Sequence, residues 1–390
     1  MPSVLFYVQH LLGIGHLMRA RCVAEALAGD GFNVHLVCGG RPILGRPPSG
    51  VRTVQLPPIY ADDPGMKVLR GVDGGPIDEA YRHRRRDLLI AEFESVAPEV
   101  VVFETFPFGR RAMHFELLPL LDRIDAARPR PIVVSSVRDI LQRRQKAKRE
   151  EEMLALAQRG FDAILVHGDA RFAKFDETFP QAASLGLPWH HTGFVVAADA
   201  PPSPFSGVRR EIVVSAGGGA VGMRLLAAAL AARRQSAYRD NPWRLLVGAN
   251  VSDHEMQGLV QNGGGDVIVE RARADFSALL SAAFISVSQA GYNTVLDVVR
   301  SGAHPVLVPY AEHGETEQVA RAGRLRELNL AVVVDEDDLS AAALARAIDA
   351  AGSRESWGRW DFDCGGAARS AMLIRGMSAS ASSRDKGATS

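Results

Sequence analysis

The sequence predicts an α/β protein built from two doubly wound parallel-sheet domains that face a central cleft. Three observations carry this. Apolar, β-branched runs alternate with helical patterns along almost the whole chain, with glycines at the junctions. The alternation stops once, at AADAPPSPFSG (197–207), whose three prolines continue neither helix nor sheet, and then restarts. The length of 390 residues exceeds one ordinary core, and an apolar fraction of 47% suffices for two. The expected divisions are 1–196 as a first domain, 197–208 as a linker and 209–352 as a second domain. A helical segment over 353–377 is expected to pack back on the first domain. The low-complexity stretch 378–390 (SASASSRDKGATS) is expected to be disordered.

In order, the first domain opens with a strand over 4–9, a glycine-containing turn and a helix over 16–28. Strands over 33–38 and 51–56 follow, then a helix over 77–96 and a strongly apolar strand over 100–106 (VVVFETF). A helix over 110–127, a strand over 132–137, a helix over 144–158 and a strand over 163–167 complete it. The second domain reads as a strand over 211–216, a glycine run, a helix over 221–235 and a strand over 244–249. A helix over 253–261, a strand over 267–270 and a helix over 275–282 come next. The stretch ISVSQAGYNTVLDVVRSGAHPVLVP (285–309) then reads as strand, turn at Gly291, helix, turn at Gly302 and strand. A helix over 315–328, a strand over 331–334 and a helix over 340–350 end the pattern. Right-handed crossovers place the loops that follow the strands on one edge, where ligands of parallel sheets bind.

Composition narrows the function. Lys+Arg and Asp+Glu are equal at 45 each, which argues against a protein that coats nucleic acid. Cys22, Cys38 and Cys364 form no CxxC pair and stand near no His at metal spacing, so they read as reduced thiols in a cytoplasmic protein. No run approaches the ~18–20 apolar residues that span a bilayer. The start, MPSVLFYVQHLLGIGH, reads as a first strand rather than a leader; peripheral contact with the inner face of a membrane stays open. His190 and His191 lack acidic or Cys partners and read as packing residues, with no metal site expected. The basic runs 82–86 and 143–149 read as solvated helix faces, with anionic lipid or a polyphosphate acceptor as the alternative contact.

Six stretches carry chemistry. LLGIGHLMR (11–19) puts Gly13 and Gly15 between the first strand and the first helix, which His16 opens. The third glycine of a dinucleotide fingerprint is missing and no acidic residue ends the second strand, which argues against a nicotinamide cofactor. His16 at a ligand-binding edge suits a general base, and Arg19 suits a phosphate or carboxylate. FETFPFGRR (103–111) places Glu104 near the end of a buried strand, where it needs a partner such as Arg110 or Arg111, or faces the cleft as an alternative base. SSVRD (135–139) offers Arg138 and Asp139, as acceptor contacts or as a pair, and Asp139 is a further candidate base. SAGGGAVG (215–222) places Gly217, Gly218 and Gly219 after a strand, where bare amides suit a diphosphate; the Lys-Ser/Thr end of a P-loop is absent. In the 285–309 stretch, Ala290 and Gly291 precede a helix whose first amides can meet a phosphate, and Asp297 lies far enough into it to reach a ribose diol. Glu317 and Gln318, in PYAEHGETEQ (309–318), can hydrogen-bond the vicinal hydroxyls of a sugar, or form an ordinary charged first turn.

These residues resemble a known family. SQAG (288–291) through Asp297, then Gly302, 305–309 and 315–318, are similar to the C-terminal domain of family twenty-eight glycosyltransferases, typified by the peptidoglycan N-acetylglucosaminyltransferase, of the GT-B fold with two Rossmann-like domains. The resemblance implies that Asp297 holds the ribose of a uridine diphosphate sugar, that Glu317 and Gln318 hold the donor sugar, and that Gly217–Gly219 and Ala290–Gly291 approach the phosphates. It also implies that the loop of Arg271 to Arg273 receives the base. Asp stands here where the family usually has Glu, and Glu-Gln where it often has Gln-Gln or Asp-Gln. GIGHLMR also resembles the opening of nucleotide-sugar hydrolases of pseudaminic acid synthesis. GIGHLMRA with FETFPFGRR resembles a group of bacterial glycosyltransferases of the same superfamily.

The expectation is therefore a hexosyltransferase. It would move a hexose or N-acetylhexosamine from a nucleotide-diphosphate sugar, a UDP-sugar as co-substrate, to a hydroxyl acceptor with inversion and without a metal cofactor. The acceptor would be a lipid-linked sugar, a glycan or a small molecule bound by the first domain. A hydrolase using His16-activated water is the alternative, a nucleotide-sugar 2-epimerase or a non-enzymatic binder the weaker ones.

Overall fold

The computed structural model describes residues 1–43, 46–61, 67–142, 147–197, 207–216, 222–248, 251–273 and 275–388, the side chains of 147, 313 and 382–388 excepted. The described chain forms two compact units, one from 1–61, 67–197 and 362–388, the other from 207–361.

The first unit runs β1 (Ser3–Val8), α1 (Gly15–Gly29), β2 (Asn33–Cys38), β3 (Val51–Gln55), α2 (Glu79–Val96), β4 (Val100–Glu104), α3 (His114–Ala126), β5 (Ile132–Arg138), α4 (Ala147–Gly160), β6 (Ala163–His167), α5 (Phe175–Thr178) and β7 (Trp189–His191). All strand pairs are parallel, in the order β3-β2-β1-β4-β5-β6-β7. Strands β1 and β4 are interior neighbours, and the order reverses between them. Strands β1 and β4 are buried on both faces, which explains why they read as continuous apolar runs rather than alternations. One face packs under α1 through Leu17, Ala20, Ala24 and Leu27. The other packs under α3 through Leu117, Leu120, Leu121 and Ile124. Each such fully buried aliphatic side chain stabilises the fold by about 1.5–3 kcal/mol.

The second unit runs β8 (Glu211–Ser215), α6 (Met223–Arg233), β9 (Trp243–Val247), α7 (Asp253–Gly263), β10 (Val267–Arg271), α8 (Phe276–Ala282), β11 (Ala283–Ser288), α9 (Tyr292–Ser301), β12 (His304–Leu307), α10 (Glu317–Glu327), β13 (Val332–Val333) and α11 (Ala341–Gly352). Its parallel sheet has the order β10-β9-β8-β11-β12-β13, so the reversal falls between β8 and β11. Both units are thus doubly wound about their first strand. Each has one switch point, at the carboxyl ends of β1 and β4 or of β8 and β11, where such sheets bind ligands.

The chain re-enters the first unit at Phe362, whose ring packs on Phe172. Phe194 N–H donates to the Asp363 carbonyl at 2.7 Å and Gly366 N–H to the Phe194 carbonyl at 3.0 Å. Helix α12 (Gly366–Ala388) then lies on α1, burying Ala371 and Ile374.

The reading of 82–86 as a solvated face is corrected at Arg85. This guanidinium is fully buried, bonded to Glu116 through Nε at 2.6 Å and to Gln9 Oε1 at 2.5 Å. It also donates to the Gly39 and Pro57 carbonyls, both at 2.6 Å, while the Tyr7 hydroxyl donates to Glu116. One buried ion pair therefore ties down the loops that follow β1, β2 and β3, the same edge on which the switch point opens. The charge is tolerated inside because its partners and carbonyls replace water. Of the other basic run, 143–146 lie outside the described residues.

Candidate active site

The first switch point gathers a connected polar group. His16 is the second residue of α1, and Glu104 is the last of β4. His16 Nδ1 lies 3.0 Å from Glu104 Oε1, and its Nε2 lies 3.2 Å from an N–H of Arg138. Arg19 also comes within 3.2 Å of Nδ1, but its N–H is committed to Glu104 Oε1; beside that carboxylate, which only accepts, Nδ1 carries the proton, and Nε2 accepts from Arg138. Burial, together with the guanidiniums of Arg110, Arg138 and Arg19, holds the imidazole well below its ordinary pKa. His16 is therefore neutral at pH 7, with its lone pair on Nε2, the state a general base requires.

Glu104 is fully buried. Arg19 donates to Oε1, the Ser136 hydroxyl donates to Oε2 at 2.6 Å, and Thr105 Oγ1 approaches both Glu104 (3.3 Å) and His16 Nδ1 (3.1 Å). Because Ser136 gives its proton to Glu104, it accepts from His167 Nε2 at 2.8 Å. His167 Nδ1 in turn faces the Thr192 hydroxyl at 2.9 Å. The carboxylate is thus fixed from behind by a chain that crosses β5 and β6. Of the two expectations for Glu104, an arginine partner or exposure to the cleft, the structure gives a partner, Arg19 rather than Arg110 or Arg111.

The backbone here is strained. Thr105, a β-branched residue, has φ of +71°, in the left-handed region. A Cβ on Gly109 would come within 2.7 Å of Thr105 Cγ2, so the loop folds tightly over it. Strain of about 1–3 kcal/mol of this kind gathers where it aims a functional group. Asp139, just past β5, is fully buried beside Gly168, where an added Cβ would lie 2.6 Å from the Asp139 Cβ. Gly13 precedes α1 and Gly15 opens it; the N-cap, Ile14, supplies no side-chain cap, and the first turn of the helix holds no acidic residue. A Cβ on Gly13 would meet nothing within 4 Å, so the protein's own packing does not demand glycine there. Gly39 and Gly40 differ: a side chain on either would collide with Gln9 or His10.

The second switch point is organised otherwise. Ser215 and Ser288 end β8 and β11 side by side in register. The Ser288 hydroxyl is buried without a hydrogen-bond partner among the described residues. Gly291 caps α9 with φ −65° and ψ 148°, and an added Cβ would meet only Thr294 Oγ1, at 3.8 Å. Neither backbone nor packing requires a glycine there. Gly302, in contrast, ends α9 at φ +78° and is held to glycine by its conformation. Asp297 makes no ion pair within 4.0 Å and no hydrogen bond among the described residues. Burial pushes its carboxyl up to about 6, with Arg300 acting against the shift. Ala290 is buried, and its carbonyl accepts from Arg321 at 2.9 Å.

Glu317 is turned inward: it is buried and ion-paired with Arg321 at 2.7 Å. Gln318 Oε1 accepts from the Tyr310 amide at 3.2 Å, which leaves its amide nitrogen to donate elsewhere. Arg271 braces the loop after β9, donating to the Gly248 and Val251 carbonyls and pairing with Asp253. Gly217, Gly218 and Gly219 lie outside the described residues. Among the described residues no group of three His, Cys, Asp or Glu is placed to hold a metal ion.

The structure therefore brings His16 and Glu104 together, and it joins Ala290 to Glu317 through Arg321. Sequence reasoning missed Ser136, His167 and Thr192. Their only sequence signal is position, at or just after the carboxyl ends of neighbouring strands.

Residues 213–356 match the Glycosyltransferase family 28 C-terminal domain. No curated protein matches the sequence. Among solved structures, MurG of Acinetobacter baumannii is 14% identical, with a TM-score of 0.54, 95% of this chain and 95% of that one being covered. UGT89C1 of Arabidopsis thaliana, complexed with UDP, is 12% identical, with a TM-score of 0.65 and coverage of 97% and 100%. The calicheamicin glycosyltransferase CalG4 is 17% identical, with a TM-score of 0.55 and coverage of 99% and 98%. At such identities the structural likeness establishes the fold, and the domain match adds the class of chemistry. The chain is a family-28-like glycosyltransferase of the GT-B type.

Proposed function

We propose that the protein transfers a hexose or N-acetylhexosamine from a UDP-sugar to a hydroxyl acceptor, with inversion at the anomeric carbon. The second unit takes the donor. The observation that carries this reading is Asp297: a half-buried carboxylate without a partner among the described residues, following a glycine that the protein itself does not need. A ribose diol supplies the two donors that such a carboxylate lacks. Gly291, the N-cap of α9, supplies no side-chain cap, and the dipole at a helix N-terminus favours a diphosphate, so the reading calls for no metal cofactor. The UDP held by the similarly folded UGT89C1 agrees with a nucleotide donor. Gln318 keeps an amide nitrogen for a sugar hydroxyl, whereas Glu317 would first have to loosen its bond to Arg321.

The first unit supplies the base. The acceptor oxygen attacks the anomeric carbon, its proton passes to His16 Nε2, and the bond to the diphosphate breaks with UDP carrying off the electron pair. Glu104 stabilises the imidazolium that forms and keeps the ring in its tautomer. Glu104 is fully buried and bonded to His16 and Arg19, so in this reading it acts through the ring rather than on the acceptor.

The test is calorimetric titration with UDP and incubation with a panel of UDP-sugars. The expected result is UDP binding that weakens in Asp297→Ala, and sugar transfer only when an acceptor is supplied. Unaltered binding in Asp297→Ala would remove the donor assignment. Rapid release of free sugar without acceptor would replace the transferase with a hydrolase.

A further inference from the structure

Several buried polar atoms without a hydrogen-bond partner among the described residues come from the loop after β1, from α1 and from the loop after β4. They are His10 Nδ1, Arg21 Nε, and both Nε and Nη2 of Arg110. Arg110 Nε and Nη2 form one side of the guanidinium, the edge that grips a carboxylate or phosphate with two parallel bonds. Leaving both N–H groups buried and unmade is costly unless a ligand receives them. Arg110 itself sits at φ +64°, a left-handed conformation that a long side chain adopts only when its surroundings impose it.

The charge balance points the same way. Arg19, Arg110 and Arg138 all act on His16, and the direct ion pair of Glu104 is with Arg19. Burial, and next Arg138, lower the Arg110 pKa to about 10. His10, hydrogen-bonded through Nε2 to the Arg41 carbonyl, is held neutral by burial and adds no negative charge.

We propose that Arg110 and Arg138 form a subsite for an acidic group on the acceptor, a carboxylate or a phosphate borne close to the reacting hydroxyl. Arg110 receives it through its Nε–Nη2 edge. Arg138, whose N–H now rests on His16 Nε2, turns to the anion and releases that lone pair for the hydroxyl proton. An acceptor with the acid binds and unmasks the base together; a neutral alcohol does neither. This deepens the assignment of His16 made above and is independent of how the second unit binds its donor.

The test titrates inorganic phosphate, and separately acetate, into the wild type, Arg110→Gln and Arg110→Lys, each saturated with UDP. The wild type should bind at least one anion, roughly tenfold or more tightly than Arg110→Gln, with Arg110→Lys between them because it keeps the charge and loses the paired edge. Preference for phosphate assigns a phosphorylated acceptor, preference for acetate a hydroxy acid. Nitrogen NMR of His16 gives a readout that does not depend on the variants' folding: the anion should shift Nε2 as Arg138 leaves it. Equal binding by wild type and Arg110→Gln, no binding by the wild type, or an unmoved Nε2 resonance would each overturn the proposal. Loss of UDP binding with anion binding kept would count against the donor reading alone.

Discussion

The two switch points share one topology and differ in how their polar groups are satisfied. At the edge of β1 and β4, Glu104 is held by Arg19, His16 and Ser136, with His167 and Thr192 behind. At the edge of β8 and β11, Asp297 and the Ser288 hydroxyl have no hydrogen-bond partner among the described residues. A group that must hold a proton at a fixed atom needs its geometry set in advance. A group that must bind a ligand has to keep its bonding capacity open, and that costs stability. The fold supplies the same crevice twice, and the sequence furnishes one for chemistry and one for capture.

The largest expected break in this contrast is His16→Ala. It should lower kcat by about 10²–10⁴-fold while leaving UDP affinity unchanged, because the base and the donor site belong to different units. Measured kcat and the UDP dissociation constant decide it. Glu104→Gln should lower kcat by about 10²-fold or more through the imidazole's tautomer and charge. It should also destabilise the fold, since the buried ion pair with Arg19 is lost. Arg85→Met should cost about 3–5 kcal/mol in urea unfolding, by leaving Glu116 buried without its cation.

Asp297 gives a pH-dependent test of the opposite kind. Its folded pKa, about 6, lies above the ordinary 3.8, so the folded state binds the proton more tightly than the unfolded one. The cost of burying its charge is therefore absent below about pH 4, grows as pH rises, and is complete above about pH 6. Asp297→Asn should accordingly stabilise the protein by about 1–3 kcal/mol at pH 8 and by nearly nothing at pH 4. UDP affinity in the wild type should fall as pH drops through about 6, when the carboxylate is lost. The smallest folding effect belongs to Gly291→Ala. With room for a Cβ and φ of −65°, it should change stability by less than about 0.5 kcal/mol yet weaken UDP binding, whereas Gly302→Ala at positive φ should cost about 1–2 kcal/mol.

The two crevices were not equally legible in the sequence. Glycine junctions between apolar runs announce both doubly wound sheets, and the 285–309 segment shows its strand, helix and Asp297 within one short stretch. His16 and Glu104 were each visible, as polar residues where apolar strands end. Their bond was not, because 88 residues separate them and only the adjacency of β1 and β4 brings them together. Arg85 and His167 escaped for a related reason. A buried charge or imidazole looks like a surface one until its partners, which come from distant strands and loops, are known. The inward turn of Glu317 was nearer to hand, since Arg321 stands four residues on, the spacing at which helical side chains meet.

The central claim is that Asp297 is kept unpaired in order to receive a nucleotide. Calorimetric titration of UDP into the wild type and Asp297→Asn at pH 8 tests it most directly. The account predicts that the variant is the more stable protein and binds UDP roughly tenfold or more weakly, its amide offering one neutral acceptor oxygen where the carboxylate offers two charged ones. Equal UDP affinity in the two proteins, with the variant folded, would contradict it.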